Sequence, residues 1–182
     1  MNTLISLHNA LFDRLERVSG IVLPTLARFT FATVMLIYFW KSAATKLGGG
    51  IFGLFSPSDG AYVQIFPRAM EAVGYDSSQL GVFHWLVAMA GTYAEFILPA
   101  LIVLGLFSRL AALGMIGFVI VQSATDIVGH GATDAKTLGA WFDGVPDSVI
   151  LDQRLLWVTV LLIIVIKGAG PLSLDRYLGR LS

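Results

Sequence analysis

The sequence contains no cysteine and few charged residues. Only 13% of its residues are charged, against about 25% in typical soluble domains. The lack of cysteine excludes disulfides, thiol nucleophiles, cysteine-ligated clusters and covalent haem attachment, so we expect no covalently bound cofactor. The 12 basic and 12 acidic residues cancel, which gives no indication of nucleic-acid binding. Because 56% of the residues are hydrophobic, the composition predicts a protein that lies in the lipid bilayer.

Four long apolar stretches predict membrane-spanning helices, since a bilayer core needs about 20 mainly apolar residues in a helix. These spans cover about residues 21–40, 83–107, 110–128 and 149–167. The segments at about 41–82 and 129–148 are rich in Gly, Pro, Ser and Asp, which is typical of loops. The first loop is apolar enough that we expect it to pack over the mouth of the bundle. The sequence thus predicts an all-α, four-helix membrane bundle forming a single domain over residues 1–182.

The first twenty residues predict an additional helix with one apolar stripe. Charged residues occupy most of its circumference. Apolar residues recur at helical spacing along one side: Leu4, Leu7, Leu11, Leu15 and Val18. This pattern is typical of an amphipathic helix on a membrane surface, although a short soluble cap helix would show it too.

The distribution of basic residues predicts the orientation in the membrane. One predicted side carries most of the arginines, whereas both long loops are mainly acidic. Positive residues favour the cytoplasmic side, so we expect both termini to be cytoplasmic and both long loops to lie outside.

Several polar residues fall within the predicted spans or at their ends. An acid at the centre of a span costs about 2.5–3.5 kcal/mol to insert, so Glu95 must face protein or water. His84 lies eleven residues before Glu95, which places both near one helical face, and Gln122 and Asp126 are spaced to share another. We expect an outward-facing polar pocket with Glu95 at its floor. The candidates for binding a ligand or protons are Glu95, His84, Lys46, Tyr93, Gln122 and Asp126. The alternative for Glu95 is a structural hydrogen bond between helices.

Two spans have short apolar cores bounded by charges. Residues 29–40 and 155–166 would each cover about 18 Å of a bilayer core about 30 Å thick. We expect snorkelling, membrane thinning or burial of charges to make up the difference. The candidates for structural ion pairs are Lys41, Asp152, Arg154 and Arg28. The three histidines show no metal-ligand spacing, so we predict no metal site.

Three segments resemble the DoxX family of membrane proteins. They are "ARFTFATVMLIYFWKSAATKL", "GTYAEFILPALIVLGLFSRLAALGMI" and "KGAGPLSLDRYL", which follow one another from about residue 27 to 178. The first departs from many relatives by having Ala43-Ala44 in place of a glycine. The residues that carry the resemblance are Arg28, Lys46, Glu95, Arg109 and Asp175; the last two are expected to fix topology or loops.

The resemblance implies a four-helix, multi-pass protein of the bacterial inner membrane. Founding members of the family are associated with thiosulfate oxidation coupled to quinone reduction, and others accompany redox-stress or metal-handling systems. We therefore expect an accessory subunit of a redox system, not an enzyme on its own, that binds quinone or another small hydrophobic ligand and has a protein partner. One alternative is a non-enzymatic membrane anchor or partner for an exported maturation, stress or metal-handling system. Another is a small transporter that works as a homo-oligomer.

Overall fold

The computed structural model describes residues 2–179 and contains four helices long and apolar enough to cross a membrane. The first span is a continuous helix made of α1, a π-helical turn and α2; the second is α5. The third is α6 with a π-helical turn at its end, and the fourth is a π-helical turn followed by α7. In the first span these are α1 (Asn2–Phe31), the turn Ala32–Leu36 and α2 (Ile37–Lys46). The second span is α5 (Val82–Leu104). The third is α6 (Ser108–Ala124) with the turn Thr125–Gly129, and the fourth is the turn Val149–Gln153 with α7 (Arg154–Lys167).

The four spans confirm the predicted helical membrane architecture. Large apolar side chains from the spans form the core: Phe31, Met35, Phe39, Ile102, Met115, Leu161 and Ile164. Many other apolar side chains on the spans are exposed, which suits a protein surrounded by lipid. We call the end of the bundle with residues 47–81 and 130–148 the loop end, and the end with residues 105–107 the turn end.

The first helix is longer than the sequence indicated. It runs without a break through Lys46, and its 44 residues from Thr3 span about 66 Å. The predicted surface helix therefore continues directly into the first span, because Gly20 and Pro24 are tolerated within the helix. At its other end the helix includes Lys41 and Lys46, which the sequence had assigned to a loop.

The second and third spans are joined at residues 105–107, slightly earlier than the predicted link at Ser108 and Arg109, which instead begin α6. Gly105 has a φ of +71°, and a Cβ there would lie 2.5 Å from the Cβ of Ser173. This turn therefore requires glycine both for its backbone conformation and for the close approach of the C-terminal segment.

The segment between the first and second spans folds over the loop end of the bundle, as its apolar composition predicted. It contains the short helices α3 (Asp59–Ile65) and α4 (Pro67–Ala72). Tyr62 and Met70 from these helices are buried against Ala88 of α5. The contact places α3 directly above the interior of the bundle.

Arg28 and Asp175 fasten the turn end. The Arg28 guanidinium donates hydrogen bonds to the carbonyl oxygens of Ile102 at 2.9 Å and Val103 at 2.5 Å, which end the second span. It also donates to Ala169 and Leu172. Its principal partners are thus carbonyl groups, and the prediction that Arg28 forms an ion pair is corrected. The physical reason is that carbonyl groups at a helix C-terminus attract a cation.

The Asp175 carboxylate caps the third span from a distant part of the sequence. It accepts hydrogen bonds from the backbone N–H groups of Phe107 at 2.8 Å and Ser108 at 3.1 Å. The first N–H groups of a helix have no partner within it, and a carboxylate satisfies them well. Asp175 lies at the start of the short helix α8 (Leu174–Tyr177), so this contact fixes the chain that follows the fourth span.

Candidate functional site

A buried ion pair joins the first and second spans. Lys46 Nζ lies 3.0 Å from Glu95 Oε1 and 2.9 Å from Glu95 Oε2. Only 5% of Lys46 and 2% of Glu95 is exposed. The Ser42 hydroxyl, one helical turn before Lys46, lies 2.6 Å from Nζ and donates to Glu95 Oε1 at 3.2 Å. The three side chains therefore form a closed hydrogen-bonded cluster within the membrane-spanning part of the bundle.

A cavity of about 500 Å³ lies against this cluster. Its walls come from the first three spans, and Gln64 and Ile65 of α3 cover it at the loop end. Small residues of α5 and α6 leave the space open: Ala90, Gly91, Ala94 and Gly117. Towards the turn end the two helices close, because a Cβ at Gly114 would lie 3.1 Å from Leu98 Cδ1.

Gln122 and Asp126 line the same cavity from the third span. The Gln122 amide donates to the Tyr38 hydroxyl at 3.1 Å. Its Oε1 atom is buried and has no hydrogen-bond partner within residues 2–179. Buried acceptors are normally satisfied, so this atom marks a position where a bound molecule can donate a hydrogen bond.

Asp126 forms an ion pair with Arg154 of the fourth span. The distance from Arg154 Nη2 to Asp126 Oδ2 is 2.5 Å, and Arg154 Nη1 donates to the Ser123 hydroxyl at 2.9 Å. Only 4% of Arg154 is exposed. Arg154 was a candidate for an ion pair and Asp126 a candidate ligand residue; the structure brings the two together at the cavity wall.

Two candidate residues lie outside the cavity. His84 packs on Phe66, with ring centroids 4.8 Å apart, and it is about 16 Å along the helix axis from Glu95. The covering helix α3 lies between that level and the cavity. Tyr93 is about 200° around the helix from Glu95, and its hydroxyl donates to the Leu54 carbonyl at 2.6 Å. Neither His84 nor Tyr93 lines the cavity, which corrects the predicted grouping.

Within residues 2–179, neither Lys41 nor Asp152 forms the ion pair suggested by the sequence. Lys41 is exposed, since five residues place it about 140° around the helix from Lys46. The Asp152 carboxylate accepts from the Ser148 N–H at 2.9 Å and from the Ser148 hydroxyl at 2.7 Å. These bonds close the turn that begins the fourth span.

Sequence reasoning missed several residues that line the cavity. Ser42, Tyr38, Gln64 and His130 all contribute to its wall. His130 Nε2 lies 3.0 Å from the Gln64 carbonyl oxygen, and because a carbonyl only accepts, Nε2 is the donor. His130 follows Asp126 by four residues, as Asp126 follows Gln122, so helical spacing could have indicated its position.

The four spans, with a partly open cavity that has a few polar groups in its wall, define a multi-pass integral membrane protein. The family model described as DoxX matches residues 23–131, more than half of the chain, and the chain belongs to the DoxX family. The matched region contains the ion pair and most of the cavity wall. No curated protein and no solved structure gave a match.

Proposed function

We propose that this protein is a membrane subunit of a redox system and that its cavity binds quinone or another small uncharged ligand. The observation that carries the proposal is the pairing of charges around the cavity. Lys46 is paired with Glu95, and Arg154 is paired with Asp126. An anionic or cationic ligand would have to compete with these pairs, whereas an uncharged polar ligand can use hydrogen bonds that leave them intact.

The size and lining of the cavity suit a quinone ring. Small-molecule sites usually have volumes of about 300–1,000 Å³ and combine apolar walls with a few polar groups, and this cavity is about 500 Å³. Gln122 Oε1 offers an acceptor for a hydroxyl group, as on a quinol. The ammonium of Lys46 and the hydroxyl of Ser42 already donate within the cluster with Glu95, so a ligand that uses Gln122 Oε1 leaves that cluster intact.

The proposed chemistry assigns proton handling to Glu95. A bound quinone supplies two-electron redox chemistry that takes up or releases protons. Glu95 is a carboxylate at the cavity wall that shares hydrogen bonds with Ser42 and Lys46, so it is placed to hold a proton near the ligand. A buried ionisable residue in a membrane span is a functional candidate for this reason.

Electrons must come from another protein under this proposal. The chain has no cysteine for a metal cluster, and its sequence has no dinucleotide-binding fingerprint. We propose that a partner in the redox system delivers or removes the electrons. We also propose a bacterial inner-membrane location with the loop end outside and both termini cytoplasmic, which the arginines near the turn end support.

The substitution Glu95→Gln tests the proposed site. We expect the affinity for a short-chain quinone in nanodiscs to fall by at least about tenfold, because a charged hydrogen-bonding group is worth about 1.5–3 kcal/mol. Affinity is measured by titration followed through tryptophan fluorescence. Glu71→Gln is the matched control, since Glu71 is an exposed acid on α4. The proposal is wrong if the wild-type protein binds no quinone, or if Glu95→Gln and Glu71→Gln bind it equally well.

A further inference from the structure

An apolar groove runs along the outer surface of the third span at the loop end. It has a volume of about 570 Å³ and lies between α4 with its preceding residues and the loop-end half of the third span. Its wall includes Ile120, Val121 and Val128, of which 60%, 66% and 58% are exposed. These side chains belong to a membrane span, so the groove opens sideways towards the lipid.

The groove adjoins the cavity. Ile65, Val121 and Thr125 line both spaces, so the two spaces meet at these residues. Near them a Cβ at Gly117 would meet nothing within 4 Å. On their other side Pro67 closes against the third span, because a Cβ at Gly129 would lie 2.8 Å from Pro67 Cγ. We call the boundary that the two spaces share at Val121 and Thr125 the side window.

The loop end of the cavity is covered. His130, directly after the third span, is hydrogen-bonded to the Gln64 carbonyl of α3 at 3.0 Å, and Ile65 lies beside this contact on the cavity wall. A molecule that leaves the cavity through the side window passes directly into the apolar groove. The geometry thus favours a route from the bilayer, whereas the sequence predicted a pocket open to the outside.

We infer that the ligand is an amphiphile whose uncharged polar head occupies the cavity and whose hydrocarbon tail passes through the side window into the groove. This inference rests on the proposed function, which concerns the head alone. Lys46 and Arg154 already have acidic partners, so the head does not have to be anionic. The exposed apolar wall of the groove suits methylene groups. The ligand enters from the bilayer and does not cross the loop end.

A substitution in the groove distinguishes binding of the tail from binding of the head. Ala124 is exposed and lines the groove but not the cavity. In Ala124→Phe the ring occupies part of the groove, and Lys46, Glu95 and Gln122 keep their side chains. Two probes are titrated in nanodiscs: a tail-free quinone, and the same head carrying a decyl tail. Each variant is compared with wild type for one probe at a time, so partition of that probe into lipid cancels.

Ala124→Phe is expected to weaken binding of the tailed probe by at least about tenfold, the effect of excluding roughly two methylene groups. Its affinity for the tail-free probe should change by less than about twofold, which also shows that the variant is folded. Leu113→Phe, an exposed substitution on the same helix outside both spaces, should affect neither probe.

The outcomes distinguish the inference from the proposed function. If wild type binds both probes and Ala124→Phe binds the tailed probe as tightly as wild type, the groove does not hold the tail and the inference is overturned. Equal weakening of both probes overturns it too, while the proposed head site stands. If wild type binds neither probe, the proposed function fails and the inference fails with it.

Discussion

Lys46→Met is expected to destabilise the protein by about 3–5 kcal/mol, because it leaves Glu95 buried without its cationic partner. The two side chains are 2.9 Å apart and almost fully buried. Unfolding in detergent by heat and by denaturant measures the loss. The control is Lys41→Met on the same helix, where the side chain is exposed, and its effect should stay within about 0.5 kcal/mol.

The double variant Lys46→Met with Glu95→Leu separates the loss of the pair from the cost of an unpaired charge. Replacing both charges by apolar groups removes the buried carboxylate, so this protein should be more stable than Lys46→Met alone. It should nevertheless lose the ligand affinity assigned to Glu95. If Lys46→Met unfolds like Lys41→Met, the ion pair does not stabilise the bundle as described.

Arg28→Met is the second substitution with a large expected effect. Arg28 satisfies carbonyl groups at the end of the second span and in the segment that follows the fourth. Its removal is expected to cost about 3 kcal/mol, since charge-assisted hydrogen bonds are worth about 1.5–3 kcal/mol each and are not fully additive. Arg28→Lys should recover only part of this loss, because an ammonium lacks the planar fork of the guanidinium.

The comparison for Arg28 is Arg17→Met in the exposed part of the same helix. Arg17 donates to the Asp13 carbonyl one turn earlier and makes no long-range hydrogen bond within residues 2–179. Its substitution should change the stability by no more than about 0.5 kcal/mol. Equal unfolding of Arg28→Met and Arg17→Met would show that the contacts at the turn end do not hold the spans together.

The sequence predicted the spans well because membrane helices have a strong compositional pattern. Length and hydropathy were sufficient to locate all four, including the fourth at residues 149–167. Burial of charges was one of three expected ways to make up for the short apolar cores, and it occurs at Arg154, which bounds one of them, and at Lys46. The length of the first helix was underestimated, because the polar residues around Lys46 look like a loop until its partner Glu95 is known.

The cavity was predicted only in part. Glu95, Gln122 and Asp126 could be placed by depth and helical face, and Lys46 by its position at the end of a span. His84 shares a face with Glu95, but helical angle carries no information about α3, which covers the bundle between the two levels. The position of α3 depends on contacts distant in sequence. The residues of α3 that cover the cavity, and the side window beside them, could therefore not be predicted from the sequence.

The functional predictions extend beyond the fold. Membership of the DoxX family and four apolar helices support an integral membrane protein. The roles as an anchor for an exported system and as an oligomeric transporter stay predictions, as does the homo-oligomer. The proposal of a quinone-linked subunit differs from these because it requires a bound small molecule in the cavity.

Native mass spectrometry of the protein extracted from its own membrane tests that requirement most directly. Wild type should carry one uncharged hydrophobic molecule that organic solvent extracts as a redox-active compound. Gly91→Leu should lose it, because the leucine side chain projects into the cavity and takes up space that the ligand needs. A Cβ at Gly91 fits, 3.9 Å from Ile65 Cδ1, and leucine favours the helix. The account is contradicted if wild type carries no such molecule, or if Gly91→Leu retains it at the same occupancy.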